Sequence, residues 1–127
     1  MSRINLGIAM SIVEKACVLD GRGFMSGCLC IASATGQIEM VMEIGNDANP
    51  DSAIFNLRTS QDTARRLAFN PSHMSSWQSR NIACGNFGGA VRDAFGTIYS
   101  FSGLSEEINE AVSIKIARSA DFESMRG

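Results

Sequence analysis

Two tight turn signals, each between short apolar segments, constrain the fold of this chain more than any other feature. The first is Thr35-Gly36, and the second lies in residues 92–96 (RDAFG), where Gly96 suits a turn position that needs a positive φ. Residues after the first turn alternate with a period of two, as in a strand buried on one face, and the inward set is Ile38, Met40, Met42 and Ile44. Because tight hairpins join antiparallel strands, parallel neighbours within each pair are excluded.

The four predicted strands cover residues 24–34, 38–44, 87–91 and 97–102. Apolar residues at helical spacing predict a first helix from Ile8 until just before Gly21. A second helix is predicted from an N-cap at Asp51 or Ser52 to about Phe69. Its predicted inward residues are Ile54, Leu57, Gln61, Ala64 and Ala68.

A third helix is predicted after Ser105, with Glu106 and Glu107 at the positive end of its dipole and a frayed tail from Asp121. Its predicted buried residues are Ile108, Ala111, Val112 and Ile116. Residues 72–80 read as a loop or one short helical turn. This order of elements predicts one α+β domain over residues 1–127, in which three helices cover a central antiparallel sheet of two hairpins.

Composition narrows the classes of partner. Eleven Lys and Arg against 13 Asp and Glu give a net charge of −2, without a basic block, so nucleic acid is not an expected partner. No apolar run approaches the roughly 18 residues of a membrane helix, and the N-terminus lacks the pattern of a signal peptide. We therefore expect no membrane partner and a cytoplasmic location.

The cysteine and histidine content disfavours a metal centre. Cys28 and Cys30 lie two apart in a predicted strand, so their side chains share a face and could meet a third ligand such as Cys84 or His73. The competing interpretation, that these cysteines are small buried apolar residues, is favoured because free cysteine is commonly buried. With one histidine, the chain cannot form a three-histidine zinc site.

The glycine cluster of residues 85–89 (GNFGG) matches neither phosphate-binding glycine motif. Glycines before a strand allow a close backbone approach, either to another part of the chain or to a ligand.

Three segments together resemble the GlcG/HbpS-like family. The first runs from the opening helix, with Ala9 and Ala16, into residues 31–36 (IASATG). The second runs from Asn49-Pro50 through a Ser-Ile step at residues 52–54 and Thr63-Ala64 to Phe69. The third runs over residues 85–103, then Ser105-Glu106-Glu107 and Ala111. Their order and spacing cover nearly the whole chain.

The resemblance implies a profilin-like fold and, in many members, a multimer and haem or corrinoid binding. This chain departs from the family at Ser33, where Asp is usual, at residues 43–47, at Ser60 in place of Lys, and at Ala90 in place of Pro. These departures remove charged groups that would hold an anionic ligand or a haem propionate. The expected pocket is more neutral, and its predicted ligand-binding residues are Asn46, Arg58, Ser60, Asn86, Phe87, Gly88 and Gly89.

Three functions are expected from these features. The first is a small-molecule-binding accessory or sensing protein, with haem or another tetrapyrrole as one ligand; His73 or Met74 is then the axial candidate, followed by Cys28 or Cys30. The second is a cofactor-free isomerase, lyase or cyclase acting on a small organic substrate, with Asp47 as the catalytic proton carrier. The third is a structural subunit of an enzyme complex. Apolar Phe95 and Phe122, where solvent is expected, predict a homo-oligomer.

Overall fold

The structure, a computed structural model, describes residues 6–21, 26–45 and 49–126. In chain order the elements are helix α1 (Leu6–Leu19), strands β1 (Ser26–Ala32) and β2 (Ile38–Gly45), helix α2 (Pro50–Ala68), strands β3 (Ala90–Arg92) and β4 (Ile98–Ser102), and helix α3 (Glu106–Arg126). Two short 3₁₀ helices, Ser76–Ser79 and Ile82–Cys84, lie between α2 and β3.

The strands form one antiparallel sheet in the order β2-β1-β4-β3. Both predicted hairpins are present, and pairing of β1 with β4 joins them, with Cys28 opposite Glu43 on one side and Ser102 on the other. The α+β class with three helices and an antiparallel sheet is therefore confirmed, and it is consistent with a profilin-like fold.

The helices cover the two faces of the sheet unequally. Leu29 and Phe101 belong to a larger core that includes residues of α1 and α3, such as Val13 and Ile116. On the opposite face α2 packs alone, with Ala64 and Leu67 against a surface of mostly small side chains that consists of Cys30, Ala32, Ala90 and Ile98. Successive strand residues point to opposite faces, which is why neighbours in one strand enter different cores.

Helix α2 begins earlier than predicted. Asn49 is the N-cap, its side chain accepts a hydrogen bond from the Asp51 N–H at 2.9 Å, and Pro50 occupies the first turn. The predicted N-cap at Asp51 or Ser52 is therefore wrong, because proline is favoured at the first helical position, where its missing N–H is not needed.

The predicted inward face of α2 is also wrong over much of its length. The buried residues are Ser60, Thr63, Ala64 and Leu67. Ile54 and Leu57, both predicted to face inward, are exposed. Small polar side chains fit closely against the small residues of this sheet face, so burial does not follow the most apolar stripe.

Helix α3 differs from its prediction at both its buried face and its end. Ala111 is exposed, while Asn109 and Ser113 are buried, and the helix continues to Arg126 instead of fraying from Asp121. Buried polar positions occur because α3 contacts backbone: the Ser113 hydroxyl donates to the Gly89 carbonyl at 2.6 Å. Strand β3 is limited to Ala90–Arg92 instead of the predicted residues 87–91, because the Phe87 carbonyl and the Gly88 N–H bond to the side chains of Arg66 and Glu106 rather than to a neighbouring strand.

Two further predictions bear on partners. No helix within the described ranges is long and apolar enough to span a membrane. Phe95 is exposed in the turn between β3 and β4, whereas the side chain of Phe122 lies outside the description. The homo-oligomer stays a prediction.

Candidate functional site

Helix α2 packs closely against the sheet along its second half and less closely along its first half. Its buried residues begin at Ser60, and none of the residues from Pro50 to Thr59 is buried. Beneath this first half lie the start of β1 and the end of β4, where the side chains of Ser26 and Ser102 are too small to fill the gap. A groove therefore opens between the N-terminal half of α2 and this end of the sheet.

One part of the groove lies toward β1 and is named here the β1 cavity. It has a volume of about 400 Å³, and its walls come from α2, β1 and β2. The lining residues are Ser26, Gly27, Cys28, Val41, Glu43, Ala53, Ile54, Asn56 and Leu57.

The other part lies toward β4 and is named here the β4 cavity. It has a volume of about 330 Å³, and its walls come from α2, the segment before β3, the end of β4 and the first turns of α3. The lining residues are Phe55, Asn56, Thr59, Phe87, Gly88, Phe101, Ser102, Gly103, Leu104, Glu106 and Asn109.

Asn56 lines both cavities, which together are named here the α2 groove. Its side-chain oxygen accepts a hydrogen bond from the Ser102 hydroxyl at 3.3 Å. Large apolar side chains stand exposed around this polar pair: Phe55 is 57% exposed, Ile54 48%, Leu57 40% and Val41 38%. The groove thus combines an apolar wall with a few hydrogen-bonding groups, as small-molecule sites commonly do.

Glu106 fixes one wall of the β4 cavity. Its carboxylate forms a salt bridge with Arg80 at 2.8 Å and accepts a hydrogen bond from the Gly88 N–H, also at 2.8 Å. Burial alone would raise the pKa of Glu106, but the hydrogen bonds from Arg80 and Gly88 and the charges of Arg80 and Arg66 outweigh it, so the pKa is lowered. Glu106 is therefore ionised near pH 7, and its negative charge is offset by Arg80 and the Gly88 N–H.

Arg66 fixes the segment beside that wall. Its guanidinium donates to the Ser79 hydroxyl at 2.8 Å, to the Ser76 carbonyl at 3.0 Å and to the Phe87 carbonyl. Burial lowers the pKa of Arg66, while the nearby Glu106 carboxylate works in the opposite direction. These contacts tie α2 to the 3₁₀ helix Ser76–Ser79 and position Phe87 at the groove.

Two neutral thiols lie under α2. Burial raises the pKa of Cys28, and the Glu43 carboxylate adds to the rise, while the hydrogen bond from the Ser60 hydroxyl to the Cys28 sulfur (3.5 Å) opposes it. Burial raises the pKa of Cys30 to about 12. Neither thiol is an activated nucleophile, because the thiolate is the reactive form.

The structure brings two of the predicted binding residues, Phe87 and Gly88, to the α2 groove. Gly89 lies beside them, but its backbone is occupied: its carbonyl accepts from Ser113 and from the Phe101 N–H. Asn86 lines a different, more polar cavity with Arg65 and Arg66, farther along α2, which adjoins the β4 cavity at Thr59.

Arg58 and Ser60 line neither cavity of the groove. Arg58 is exposed on α2. Ser60 is fully buried, and its hydroxyl donates to the Leu57 carbonyl at 3.0 Å as well as to Cys28. Ser60 therefore holds α2 against β1 at the point where the groove ends. The predicted residues Asn46 and Asp47 lie outside the described residues.

His73 and Met74, the predicted axial ligands of a haem, lie away from the α2 groove. Arg92 donates to the His73 carbonyl at 2.9 Å and to the Leu67 carbonyl at 2.7 Å, which places this segment beside the C-terminal end of α2. Leu67 is eleven residues from Asn56 along the helix, or about 16 Å at 1.5 Å per residue. His73 Nδ1 is buried among the described residues without a hydrogen-bond partner. A haem bound in the α2 groove would therefore lie too far from His73 and Met74 for either residue to hold its iron. Their roles as axial ligands at another place in the molecule stay predictions.

Within the described residues, no group of three or more His, Cys, Asp or Glu side chains could hold a metal ion. Cys28 and Cys30 are buried under α2, while Cys84 is exposed in the 3₁₀ helix Ile82–Cys84. Cys84, one of the residues that could have been a third metal ligand, is therefore not brought to Cys28 and Cys30.

Sequence reasoning missed most of the groove. Asn56, Phe55, Val41 and Ser102 were not singled out, and Ile54 and Leu57 were assigned to the core instead. One signal was available: the first half of α2 carries large apolar side chains, whereas β1 opposite it carries Ser, Gly and Cys. A large side chain facing small ones marks a place where packing can be incomplete.

Comparisons with known proteins support the fold alone. No protein-family model matches the sequence, and no curated protein matches it in a sequence search. Among solved structures, the chain is similar to ORFY of Klebsiella pneumoniae, described as a DUF336 protein, with 14% sequence identity and a TM-score of 0.54 over 91% of this chain and 87% of ORFY. DUF336 is commonly called GlcG-like, so the similarity agrees with the resemblance at the level of the fold.

Proposed function

We propose that this chain is a GlcG-like protein that binds a small organic molecule in the α2 groove. The observation that carries the proposal is the pair of cavities, about 400 and 330 Å³, that share Asn56 as a wall. Volumes of this size are typical of small-molecule sites in proteins.

The lining of the groove supports binding of a mainly apolar ligand. Phe55, Ile54 and Leu57 stand exposed along the groove. A ligand that covers them removes apolar surface from water, at roughly 25 cal/mol per Å². Asn56 and Ser102 supply neutral polar groups that orient such a ligand.

The chemistry of the groove supports a binding or sensing role more than catalysis. The described residues that line it include no histidine, and the one thiol, Cys28, has a raised pKa. Glu106 is already neutralised by Arg80 and by the Gly88 N–H. Glu43 at the β1 cavity has no ion-pair partner among the described residues, but no second acid or base with an ordinary pKa lies beside it in that lining to complete a proton-transfer pair.

Filling the groove tests the proposal. Ala53→Trp places a bulky side chain in the β1 cavity, at a position that is only partly buried, so the core is left intact. We expect the fluorescence titration of a neutral apolar dye such as Nile red to show at least about tenfold weaker binding to this variant. The matched control is Ala111→Trp, an exposed position on α3 that lines neither cavity. Equal binding by both variants and the unmodified protein would contradict the proposal.

A further inference from the structure

We propose that the α2 groove selects cationic or neutral ligands and discriminates against carboxylates and phosphates. This inference rests on the proposed function and adds the charge class of the ligand. Among the described residues that line the two cavities, Glu43 and Glu106 carry charge, and no lysine or arginine does.

The two carboxylates are not equivalent. Glu106 accepts hydrogen bonds from Arg80 and from the Gly88 N–H, so the charge at the β4 cavity is largely compensated. Arg80 itself does not line the cavity. The β4 cavity therefore offers a ligand nearly neutral walls.

Glu43 is the charge at the groove without a compensating partner among the described residues. It lies on β2, opposite Cys28, with an exposed side chain at the β1 cavity, and no described residue forms an ion pair with it. Apart from Asn56, the other residues that line this cavity are apolar or small, including Val41, Ile54 and Leu57. Because Glu43 is exposed, water and salt screen its charge, but a charged group that enters the cavity comes within a few Å, well inside the screening length of about 10 Å at 0.1 M salt.

The size of the effect follows from the distance between charges. Two unit charges about 4 Å apart interact by about 1 kcal/mol even in bulk water, which is about fivefold in affinity. An amine gains this factor and a carboxylate loses it. We therefore expect a matched amine to bind at least about tenfold more tightly than the carboxylate at low ionic strength, with a smaller ratio at high salt.

The ligand class implied is an apolar, often aromatic, body with one ammonium or neutral hydrogen-bonding group. The apolar body lies against Phe55 and Leu57, and the polar group lies near Glu43 or the Asn56 amide. A ligand with two carboxylates, such as haem, meets no basic side chain among the described groove residues.

A matched series of compounds tests this inference. Tryptamine, indole-3-acetamide and indole-3-acetate present a cation, a neutral amide and an anion on one scaffold, and equivalent naphthalene and biphenyl series guard against a poor fit of indole. Backbone amide shifts at residues 53–57 and 101–104 report binding in the groove, and hemin is titrated alongside as a dicarboxylate. We expect the amines to bind at least about tenfold more tightly than the acids in at least one series.

Two substitutions on β2 assign the selectivity to one carboxylate. Glu43→Gln is expected to bring the ratio of amine affinity to acid affinity close to one. Glu39→Gln changes the net charge by the same amount but lies outside the cavity, so we expect it to leave that ratio unchanged. Carboxylates or hemin that bind the groove as tightly as the amines overturn the charge inference and leave the proposed function standing. Failure of every compound, neutral ones included, to shift the groove amides overturns both.

Discussion

At the scale of single residues, Gly88 shows what the glycine cluster does. A Cβ atom added there would lie 2.3 Å from a carbon of the Trp77 ring, closer than atoms can approach without a shift. Sequence reasoning predicted a close backbone approach at these glycines, and at Gly88 the approaching group is a side chain of the same protein. Trp77 in turn stacks with Arg80, the partner of Glu106. The wall of the β4 cavity therefore depends on this glycine.

Gly88→Ala is expected to destabilise the protein by about 1–3 kcal/mol, because the added methyl group overpacks against the indole ring. Urea unfolding measures the change in free energy. The control is a double-mutant cycle with Trp77→Leu, in which the smaller side chain removes the clash. If Gly88→Ala costs as much with Leu at position 77 as with Trp, the steric explanation is wrong.

Thiol reactivity gives a second test at this scale. Cys28 and Cys30 are buried with raised pKa values, while Cys84 is exposed. We expect iodoacetamide at pH 8 to modify Cys84 fastest, to modify Cys28 much more slowly through the β1 cavity because of its raised pKa, and to reach Cys30 only after unfolding. Peptide mass spectrometry over a time course locates the label. Labelling of Cys28 or Cys30 as fast as Cys84 would contradict the burial of β1 under α2.

At the scale of elements, α2 performs two tasks with its two halves. The second half packs through Ser60, Ala64 and Leu67, and the first half carries its large apolar residues into the groove. Sequence periodicity predicted the helix and its end within a residue or two, but it assigned the exposed apolar residues to the core. Periodicity detects an apolar stripe without showing what the opposite surface can accommodate, and here that surface is built from cysteine, alanine and serine.

Two leucines of α2 separate these tasks. Leu67→Ala is expected to cost about 2–4 kcal/mol, because it opens a cavity at a fully buried position. Leu57→Ala is expected to cost less than about 1 kcal/mol, because Leu57 is 40% exposed, but it removes part of the groove wall and weakens dye binding. Chemical denaturation and the dye titration are measured on both variants. Equal loss of stability in the two would contradict the division of α2.

At the scale of the whole molecule, the fold was predictable where local signals decide it. The turn residues Thr35-Gly36 and Gly96 specify the two hairpins, and helical periodicity specifies the covering helices. The pairing of β1 with β4, which joins the hairpins, has no local signal because it links distant parts of the chain. The candidate site depends on that pairing and on the placement of α2 above it, so Phe87 and Gly88 were predicted near a ligand while Asn56 and Ser102 were not.

The pH dependence of stability reflects the contact between α3 and the segment before β3. The folded pKa of Glu106 is lowered from its ordinary value of 4.5, so its contribution to stability is fully present above pH 4.5 and is lost as the pH falls through the lower folded value. Glu106→Gln is expected to reduce stability at pH 7 and to flatten the loss of stability in acid. Thermal unfolding from pH 7 to pH 3 measures both effects. Glu107→Gln, at an exposed position, serves as the control. If the stability of Glu106→Gln falls with decreasing pH in parallel with that of the unmodified protein, the assignment to Glu106 is wrong.

The most direct test of the central claim is a crystal structure of the protein after soaking with the tightest compound of the matched series. We expect electron density for the compound in the α2 groove, against Phe55 and Leu57 and within hydrogen-bond distance of Asn56 or Glu43. Density at another site, with the groove filled by protein side chains, would contradict the account.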